Sequence, residues 1–494
     1  MSGGVRLAAA AVAGALSVIA LSPRSLGWVA WIALVPLFAA RVGASRRATI
    51  GLGVVFTLVL SFAGLEPWFA RSTSAYFGIP FARTVAITVP PLALLSIAHG
   101  VVLGLVLWAR PPRAGVWDVV WCAALWTCWE SLRSVVFPFF PAGMLALSQT
   151  RTPTVLQLAS VLGIAGISFV VVAVNVGIAS LLVRARPGGG MRAAATALAA
   201  LAGTLAWGTV RLGEAPVEPS SSGPRIVSVD LNAMQAEEGT LERYLAASAK
   251  ADGAALVIWP ESALINDPEH DRGTYAALRA FVDARGVPLL AGGPGSARSR
   301  GREPARFNSA HLLSPGQGVT SYHKRGLVPL AETWPSGLPF IGTPPPDLAG
   351  LDAGTEATVF SVGDSAFGVL ICFEITDAAG ARTLARRGAR FIVNLTNDAW
   401  FATSARPPHL PWAAVRAVES GLPVVRAANA GPSVVFDRFG RVVAAGDGPG
   451  LFAATVPGSA PTLYVRGGHV FLAACAAVVV GGIVLAVLRA RRVT

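Results

Sequence analysis

Cysteine is scarce in this chain, and its distribution excludes two kinds of site. The 494 residues include four cysteines, and Cys122, Cys128 and Cys475 all lie in long apolar stretches. Cys372 is the single thiol in the polar part of the chain, so it has no disulfide partner there and no second thiol with which to share a metal ion. A lone cysteine is more often a buried structural residue than a nucleophile. A catalytic interpretation therefore requires a base and a cation from elsewhere.

Lysine and histidine are sparse as well. Only two of the 40 basic residues are lysines, Lys250 and Lys324, and the six histidines are scattered. No lysine-rich tract or basic-aromatic module is present, so the net charge of +13 does not indicate nucleic-acid binding. The scattered histidines argue against a zinc site or a histidine-based triad. We predict no metal and no cofactor.

Charged residues make up 14% of the chain and hydrophobic residues 53%, which argues against a soluble protein of this size. A membrane helix needs about 20 mostly apolar residues. We predict eight, at 6–22, 27–41, 48–66, 85–109, 115–137, 155–183, 191–210 and 465–488. The first has no clear small-residue cleavage site, so we expect a retained anchor rather than a signal peptide.

Arginines at the helix ends predict the membrane topology. If the N-terminus is cytoplasmic, twelve arginines fall at cytoplasmic ends and six at the opposite ends, as the positive-inside rule favours. Both termini are then cytoplasmic, and the region after residue 213 lies outside the cytoplasm. Glu130 and Arg133 share one face of the fifth segment. Such an intramembrane pair is either functional or a structural lock between helices.

The polar part of the chain predicts a layered α/β domain. A Pro- and Ser-rich linker at 214–222 follows a membrane bundle at 1–213, and a last membrane helix with a basic tail occupies 464–494. Between them, at 223–463, short apolar runs alternate with amphipathic stretches. Strands are predicted at 225–230, 255–259, 288–292, 308–313, 358–362, 366–371, 391–395, 424–428, 433–436 and 452–456, and helices at 239–252, 272–285, 378–387 and 411–421.

Two of these apolar strands run directly into reactive residues. One ends in Cys372, with Glu374 two residues later, and another leads into Glu261. Lys324 and Glu332 lie in a third stretch. Because this sequence uses arginine wherever a cation is merely needed, a lysine at position 324 indicates a task for a compact ammonium group.

These stretches resemble a known family. Trp-Pro-Glu-Ser, His-Lys-Arg-Gly-Leu-Val-Pro-Leu-Ala-Glu and Ile-Cys-Phe-Glu-Ile are similar, in order and spacing, to the Glu–Lys–Cys triad of the nitrilase (carbon–nitrogen hydrolase) superfamily. Together with Asn397-Asp-Ala-Trp-Phe401 they resemble one branch, the bacterial apolipoprotein N-acyltransferases, in which such a domain is built into a membrane protein. The resemblance implies a four-layer αββα sandwich.

The resemblance also implies a role for each residue. A thiol with a pKa of about 8.5 is mostly protonated at neutral pH and needs a base. Cys372 is then the nucleophile, Glu261 the base and Lys324 the group that stabilises the oxyanion. The supporting residues are Glu332, Glu374 and Phe373, and the candidates for substrate binding are Trp334, Asn397, Trp400, Phe401, His409 and Arg426.

In this branch an acyl chain passes from a membrane phospholipid to the cysteine as a thioester, and then to the α-amine of the lipid-modified N-terminal cysteine of a lipoprotein. The expected partners are a phospholipid acyl donor, diacylglyceryl-modified lipoproteins and the lipid bilayer, with no nucleic acid. The expected location is the bacterial cytoplasmic (inner) membrane. Apolar residues on the stretches 333–341 and 399–412 indicate either lipid contact or loops folded over the core.

The sequence departs from the family pattern in places that bear on substrate preference. Phe373 stands where the family usually has a tyrosine, and residues 229–239 replace a Gln-Gly-Asn/Asp-Ile-Pro stretch that is followed by a tryptophan. These losses keep a second hypothesis open, a membrane-tethered amidase or nitrilase acting on a small amide. A third, a non-enzymatic transporter or scaffold, conflicts with the intact set of Glu261, Lys324 and Cys372.

Overall fold

The structure is a computed structural model that describes residues 1–22, 26–108, 115–136, 143–183, 188–215, 223–233, 238–297, 304–329, 331–333, 350–401, 409–446 and 448–491. The chain divides into two compact units. One consists of residues 1–214 and 467–494, and the other of residues 215–466.

The first unit is a bundle of apolar helices. Its helices are α1 (Gly3–Leu21), α2 (Ala30–Ala33), α3 (Val35–Ala40), α4 (Arg46–Val59), α5 (Glu66–Phe77), α6 (Phe81–Trp108), α7 (Val116–Val136), α8 (Pro153–Leu156), α9 (Ala159–Val183), α10 (Gly189–Gly213) and α16 (Val470–Arg491). Within the described residues, five helical stretches are long and apolar enough to cross a membrane: Gly3–Leu21, Arg46–Ala75, Phe81–Trp108, Ala159–Val183 and Gly189–Gly213. The predicted bundle of long apolar helices is confirmed.

The second predicted membrane segment is not one continuous helix. It breaks at Leu34, between α2 and α3. The side-chain amide of Asn175 on α9 pairs with the two backbone groups at the break. Its oxygen accepts a hydrogen bond from the Leu34 N–H and its nitrogen donates to the Ala30 carbonyl, both at 2.8 Å. A buried backbone group without a partner would be costly in an apolar bundle. The Asn175 side chain therefore allows this interrupted helical segment to lie inside the unit.

Helices α4 and α6 pack at backbone contact. A Cβ added to Gly100 would lie 2.4 Å from the Cα of Val54, and one added to Gly104 would lie 2.4 Å from the Cα of Ile50. Any larger residue would push the two helices apart. Small residues at a crossing let the backbones of two membrane helices approach closely, and the resulting packing stabilises their association.

The second unit contains two six-stranded sheets. The strands are β1 (Arg225–Asp230), β2 (Leu256–Trp259), β3 (Leu289–Ala297), β4 (Ala305–Leu313), β5 (Val319–His323), β6 (Val359–Val362), β7 (Ser365–Ile371), β8 (Phe391–Asn397), β9 (Val424–Asn429), β10 (Ser433–Phe436), β11 (Val442–Gly446) and β12 (Gly450–Thr455). The first sheet has the order β12-β1-β2-β3-β4-β5, and the second has the order β11-β10-β9-β8-β7-β6. Each has a parallel centre, β1-β2-β3 and β7-β8-β9 respectively.

The helices of this unit complete a four-layer sandwich. They are α11 (Thr240–Ser248), α12 (Arg272–Arg285), α13 (Ala378–Arg386), α14 (Leu410–Ser420) and α15 (Leu463–Gly467). Alternate residues of both sheets, among them Ile258 and Val369, form one core between the sheets. The other face of the first sheet packs its own cluster, including Trp259, against α11 and α12. The predicted αββα architecture is confirmed.

Two strands and one helix boundary were not predicted. β5 and β11 are absent from the predicted strands. Both are edge strands in which every residue except Tyr322 is at least partly exposed. The last apolar segment begins at Val470 rather than at 465, because residues Leu463–Gly467 form the separate helix α15, most of which lies in the second unit. The predicted linker at 214–222 lies mostly outside the described residues.

Candidate active site

Cys372 lies on a sharp turn directly after β7. The buried strand ends at Ile371, and Cys372 begins a 3₁₀ turn that runs to Thr376. Its φ of +51° is in the left-handed region, which non-glycine residues adopt at a cost of about 1–2 kcal/mol. The side chain is only partly buried, unlike the strand that precedes it. The turn thus presents the thiol at the carboxyl end of the second sheet.

A lysine and two carboxylates from other elements meet beside this thiol. Lys324 Nζ lies 2.8 Å from Glu332 Oε1 and 3.6 Å from Glu261 Oε1. Lys324 follows β5 and is 1% exposed, whereas Glu261 follows β2. The charges of all three groups act on the Cys372 thiol. The structure therefore brings together the four residues that the sequence placed in three separate stretches.

Asn308 on β4 joins the two carboxylates, and the sequence analysis did not identify it. Its Nδ2 donates a hydrogen bond of 2.8 Å to Glu261 Oε1 and one of 2.9 Å to Glu332 Oε1. Its backbone carbonyl accepts from the Lys324 N–H at 2.8 Å. Asn308 thus holds the two carboxylates through its side-chain amide and the backbone of Lys324 through its carbonyl.

Glu374 serves the site through backbone contacts. Its carboxylate accepts hydrogen bonds from the N–H groups of Arg325 and Gly326, at 2.8 and 2.9 Å, and from the Ile371 N–H at 2.8 Å. The Tyr322 hydroxyl donates to the same carboxylate. Glu374 is 5% exposed. It therefore connects the loop after Lys324 to the turn that carries Cys372.

Burial and charge shift the pKa values of the central groups. Burial raises the pKa of Glu261, which Lys324 partly offsets and Glu332 reinforces. Burial and the Glu261 carboxylate raise the pKa of Cys372 well above its usual value, against the lowering effect of Lys324. Burial alone would lower the pKa of Lys324, but Glu261 and Glu332 outweigh it and raise that pKa. The resting site thus favours a protonated thiol, a charged lysine and a carboxyl group poised to exchange a proton.

Asn397, at the end of β8, helps to hold Glu261. Its backbone N–H donates to Glu261 Oε2 at 2.9 Å. Its side-chain oxygen accepts from the Asn429 Nδ2 at 2.8 Å and from the Ala399 N–H at 3.1 Å. The predicted substrate-binding residue Asn397 is therefore next to the base, and its side chain is engaged within the protein.

A second polar network begins at Thr396, next to the thiol. Thr396 is within hydrogen-bonding reach of Cys372, and its Oγ1 lies 2.9 Å from His409 Nε2. His409 in turn lies 3.5 Å from Asp398 Oδ1. Both oxygens of Asp398 accept hydrogen bonds of 2.7 Å from Arg426. Burial lowers the pKa of His409 to about 4, although Asp398 opposes this shift.

This network changes the interpretation of two predicted substrate-binding residues. Arg426 is fully buried, and its guanidinium is used by Asp398 and by the Pro432 carbonyl. His409 is also buried and contacts Thr396 and the ring of Phe401, whose centroid is 5.3 Å away. Arg426 and His409 are thus both buried and in contact with other protein groups.

The remaining predicted site residues are aromatic, and the structure describes the side chains of two of them. Phe401 is partly exposed at the end of the turn Asp398–Phe401, and Phe373 is partly exposed next to the nucleophile. Trp334 and the side chain of Trp400 lie outside the described residues. Within the described part of the chain, no group of three or more His, Cys, Asp or Glu side chains could hold a metal ion.

Comparison with known proteins supplies the family context. The model of the carbon-nitrogen hydrolase family matches residues 225–456, and that of the apolipoprotein N-acyltransferase N-terminal domain matches residues 13–177. The chain is 31% identical over 527 residues to an apolipoprotein N-acyltransferase of Bradyrhizobium diazoefficiens, covering 98% of this chain and 95% of that protein. It is 29% identical over 507 residues to the one of Geobacter metallireducens, with the same coverage. Among solved structures, an amidase from Nesterenkonia sp. is 22% identical, with a TM-score of 0.40, over 52% of this chain and 98% of that chain.

Proposed function

This chain belongs to the apolipoprotein N-acyltransferase family, and we propose that it transfers a fatty acyl chain from a membrane phospholipid to the N-terminal amine of a diacylglyceryl-modified lipoprotein. It is an acyltransferase with a carbon-nitrogen hydrolase domain and a bundle of membrane helices. The proposal concerns the two substrates, the covalent intermediate and the residues that carry the reaction.

One observation carries the proposed chemistry. Cys372 is partly exposed at a strand end, and a buried lysine that contacts Glu261 and Glu332 lies beside it. A nucleophile, a base and a fixed cation are the three groups that acyl transfer through a thioester requires. Their proximity, from strands that are far apart in sequence, supports a catalytic role for all of them.

In the first half-reaction the Cys372 sulfur attacks the ester carbonyl carbon of the phospholipid. Glu261 accepts the thiol proton as the carbon–sulfur bond forms, because its raised pKa makes it a suitable base for a thiol near neutral pH. The Lys324 ammonium stabilises the negative charge that develops on the carbonyl oxygen. The ester carbon–oxygen bond then breaks, Glu261 returns the proton to the departing oxygen, and a lysophospholipid leaves the acyl group on Cys372.

In the second half-reaction the lipoprotein's α-amine attacks the thioester carbonyl. Glu261 accepts a proton from the amine as the carbon–nitrogen bond forms, and Lys324 again stabilises the oxyanion. The carbon–sulfur bond breaks, and the proton held by Glu261 restores the Cys372 thiol. The product is an amide, which is more stable than the thioester. Glu332 contributes by fixing Lys324.

The membrane bundle suits these substrates, because both are lipids that leave a bilayer only at high cost. The positive-inside rule supports a cytoplasmic N-terminus and an extracytoplasmic catalytic domain. We propose the bacterial inner membrane as the location, since the acceptor is a lipoprotein anchored there.

The decisive experiment is intact-mass spectrometry of the detergent-purified, full-length protein after incubation with phospholipid alone. We expect an increment of one fatty acyl group that maps to Cys372 and is removed by hydroxylamine. Cys372→Ala should carry no increment, and Glu261→Gln should form it far more slowly. Added diacylglyceryl-modified peptide should discharge the acyl group onto its N-terminus.

Two results would contradict the proposal. A wild-type protein that stays unmodified while Cys372 remains reactive toward iodoacetamide would exclude phospholipid as the acyl donor. Release of ammonia from simple amides, without transfer to an amine, would support the amidase alternative. Lys250→Met is a matched control, because Lys250 is the other lysine and is exposed on the domain surface; it should leave thioester formation unchanged.

A further inference from the structure

The bundle contains a buried arginine that its own neighbours do not satisfy. Arg133 lies in the last turn of α7 and is 4% exposed. Among the described residues, neither its Nε nor its Nη2 has a hydrogen-bond acceptor. A buried cationic donor without an acceptor costs several kcal/mol in an apolar surrounding. Within the described part of the chain, these two nitrogens are therefore available to an acceptor such as a bound anion.

The nearest acid on the same helix is already used by other groups. Glu130 is 1% exposed, its Oε1 accepts from the Leu145 N–H at 2.9 Å, and its Oε2 accepts from the Ser168 hydroxyl at 2.5 Å. Glu130 therefore ties α7 to α9 and to the turn at 145–149. It supplies compensating charge near Arg133, while the free nitrogens of Arg133 stay without an acceptor.

The guanidinium of Arg133 lies between Gly143 and Trp129, near the surface of the bundle. Gly143 lies directly against it, and a Cβ at this position would come within 2.9 Å of Nη1 and Nη2. A larger residue at position 143 would therefore collide with the guanidinium. The Trp129 ring lies 5.0 Å away on another side, and Leu132, the preceding residue, is 52% exposed on the bundle surface. Arg133 is thus close to the surface that lipids contact.

We propose that Arg133 binds the phosphate group of a membrane phospholipid through its free guanidinium nitrogens. Guanidinium matches phosphate with two parallel hydrogen bonds and is favoured where such a pair is shielded from water. The predicted topology places this end of α7 at the extracytoplasmic surface, at the level of the outer headgroups. That the bound lipid is the acyl donor rests on the proposed function; that Arg133 binds a lipid phosphate does not.

A purely structural pair of Glu130 and Arg133 makes the opposite prediction for one variant. If the two charges only stabilise each other, Glu130→Gln and Arg133→Gln should reduce lipid retention equally, because each variant breaks the same pair. If Arg133 binds an anion, Glu130→Gln removes a repulsive charge and should leave lipid binding unchanged or tighter, while Arg133→Gln should weaken it. Glutamine at position 130 retains an oxygen that can accept from Leu145.

The test is native mass spectrometry of the full-length Cys372→Ala protein in detergent, in which no thioester can form. Retention of phosphatidylglycerol is compared with that of diacylglycerol carrying the same chains, and inorganic phosphate is added as a competitor. We expect retention of phosphatidylglycerol over diacylglycerol, a loss of about tenfold or more in Arg133→Gln, and no loss in Glu130→Gln. Arg151→Gln, at an exposed arginine, is the control and should bind normally.

Each other outcome has a definite meaning. Equal retention by Arg133→Gln, or equal losses in Arg133→Gln and Glu130→Gln, would overturn the site. Displacement of the lipid by millimolar inorganic phosphate would assign the site to a free anion and overturn the lipid assignment. If Arg133→Gln does not fold, Arg133→Lys serves instead and should bind more weakly while keeping the preference for phospholipid. Thioester formation in Cys372 protein is measured separately, so failure of the lipid site and failure of the acyl-transfer chemistry are distinguishable.

Discussion

The Tyr322 hydroxyl donates hydrogen bonds to both oxygens of Glu374, at 2.8 and 3.0 Å. Tyr322 lies on β5, two residues before Lys324, and Glu374 lies two residues after Cys372. The pair therefore links the strand that leads to the cation with the turn that carries the nucleophile. The position of Lys324 relative to Cys372 therefore depends on the contact between Tyr322 and Glu374.

Glu374→Gln should slow thioester formation by about 10- to 100-fold. Three backbone N–H groups now donate to the Glu374 carboxylate. In the variant, the NH₂ group of the glutamine would face one or more of these donors. A buried donor without an acceptor costs about 1–3 kcal/mol. Tyr322→Phe, which removes only the hydroxyl, should cost about 1 kcal/mol of stability and slow the reaction less. The acylation rate from intact mass checks both variants. A Glu374→Gln protein with the wild-type rate would contradict this positioning role.

Asn308→Asp should abolish acylation, although the side chain keeps its size. A third carboxylate would face Glu261 and Glu332 where an amide now donates to both, and this repulsion should raise the pKa of Glu261 further. Acylation should then recover partly at high pH, which the pH profile of the rate would reveal. Asn308→Ser is the matched control, with a smaller effect because it adds no charge. Equal loss in both variants would show that charge is not the cause.

Glu261→Gln should make the Cys372 thiolate easier to form while acyl transfer is lost. The Glu261 carboxylate raises the pKa of Cys372, so its removal should lower that pKa. The pH dependence of iodoacetamide labelling at Cys372 measures this directly. Labelling should begin at a lower pH in Glu261→Gln than in the wild type. A shift to higher pH would mean that the carboxylate does not act on the thiol as described.

His409 should make the folded protein sensitive to acid. Its pKa is lowered from 6.5 to about 4 in the folded state, so the neutral ring is favoured by folding. The contribution of neutral His409 to the free energy of unfolding is complete above pH 6.5. It is lost as the pH falls toward 4, and the total loss is roughly 3 kcal/mol. His409→Gln should lose less thermal stability between pH 7 and pH 4.5 than the wild type. Equal losses would exclude His409 as a source of the acid sensitivity.

Strand ends with reactive residues could be predicted from the sequence, because a buried apolar run that stops at Cys372 or Glu261 leaves a clear pattern. β5 left no such pattern. Val319–His323 carries polar side chains, and it pairs only with β4 at a sheet edge. Alternation along β5 places Tyr322 and Lys324 on the same side, which could have pointed to Tyr322 once the strand was known.

The polar residues around the centre could not be predicted, because their partners are distant in sequence. Asn308 meets Glu261 across two strands of one sheet, and Asn397 meets Glu261 across two sheets. Arg426 illustrates the converse case. The sequence indicated a cation available to substrate, but its partner Asp398 lies on a neighbouring strand end and neutralises it inside the protein.

The first sheet of the catalytic domain closes with the last strand of the domain. β12 pairs along the whole of β1, with Arg225 opposite Thr455 and Asp230 opposite Gly450. During synthesis, β1 therefore emerges long before its outer neighbour and presents an unpaired edge until the end of the domain has been made. Contacts between such remote segments form slowly, and exposed strand edges invite association with other chains. A polypeptide truncated before β12 should consequently fail to mature and should aggregate, even though every residue of the active centre is already present.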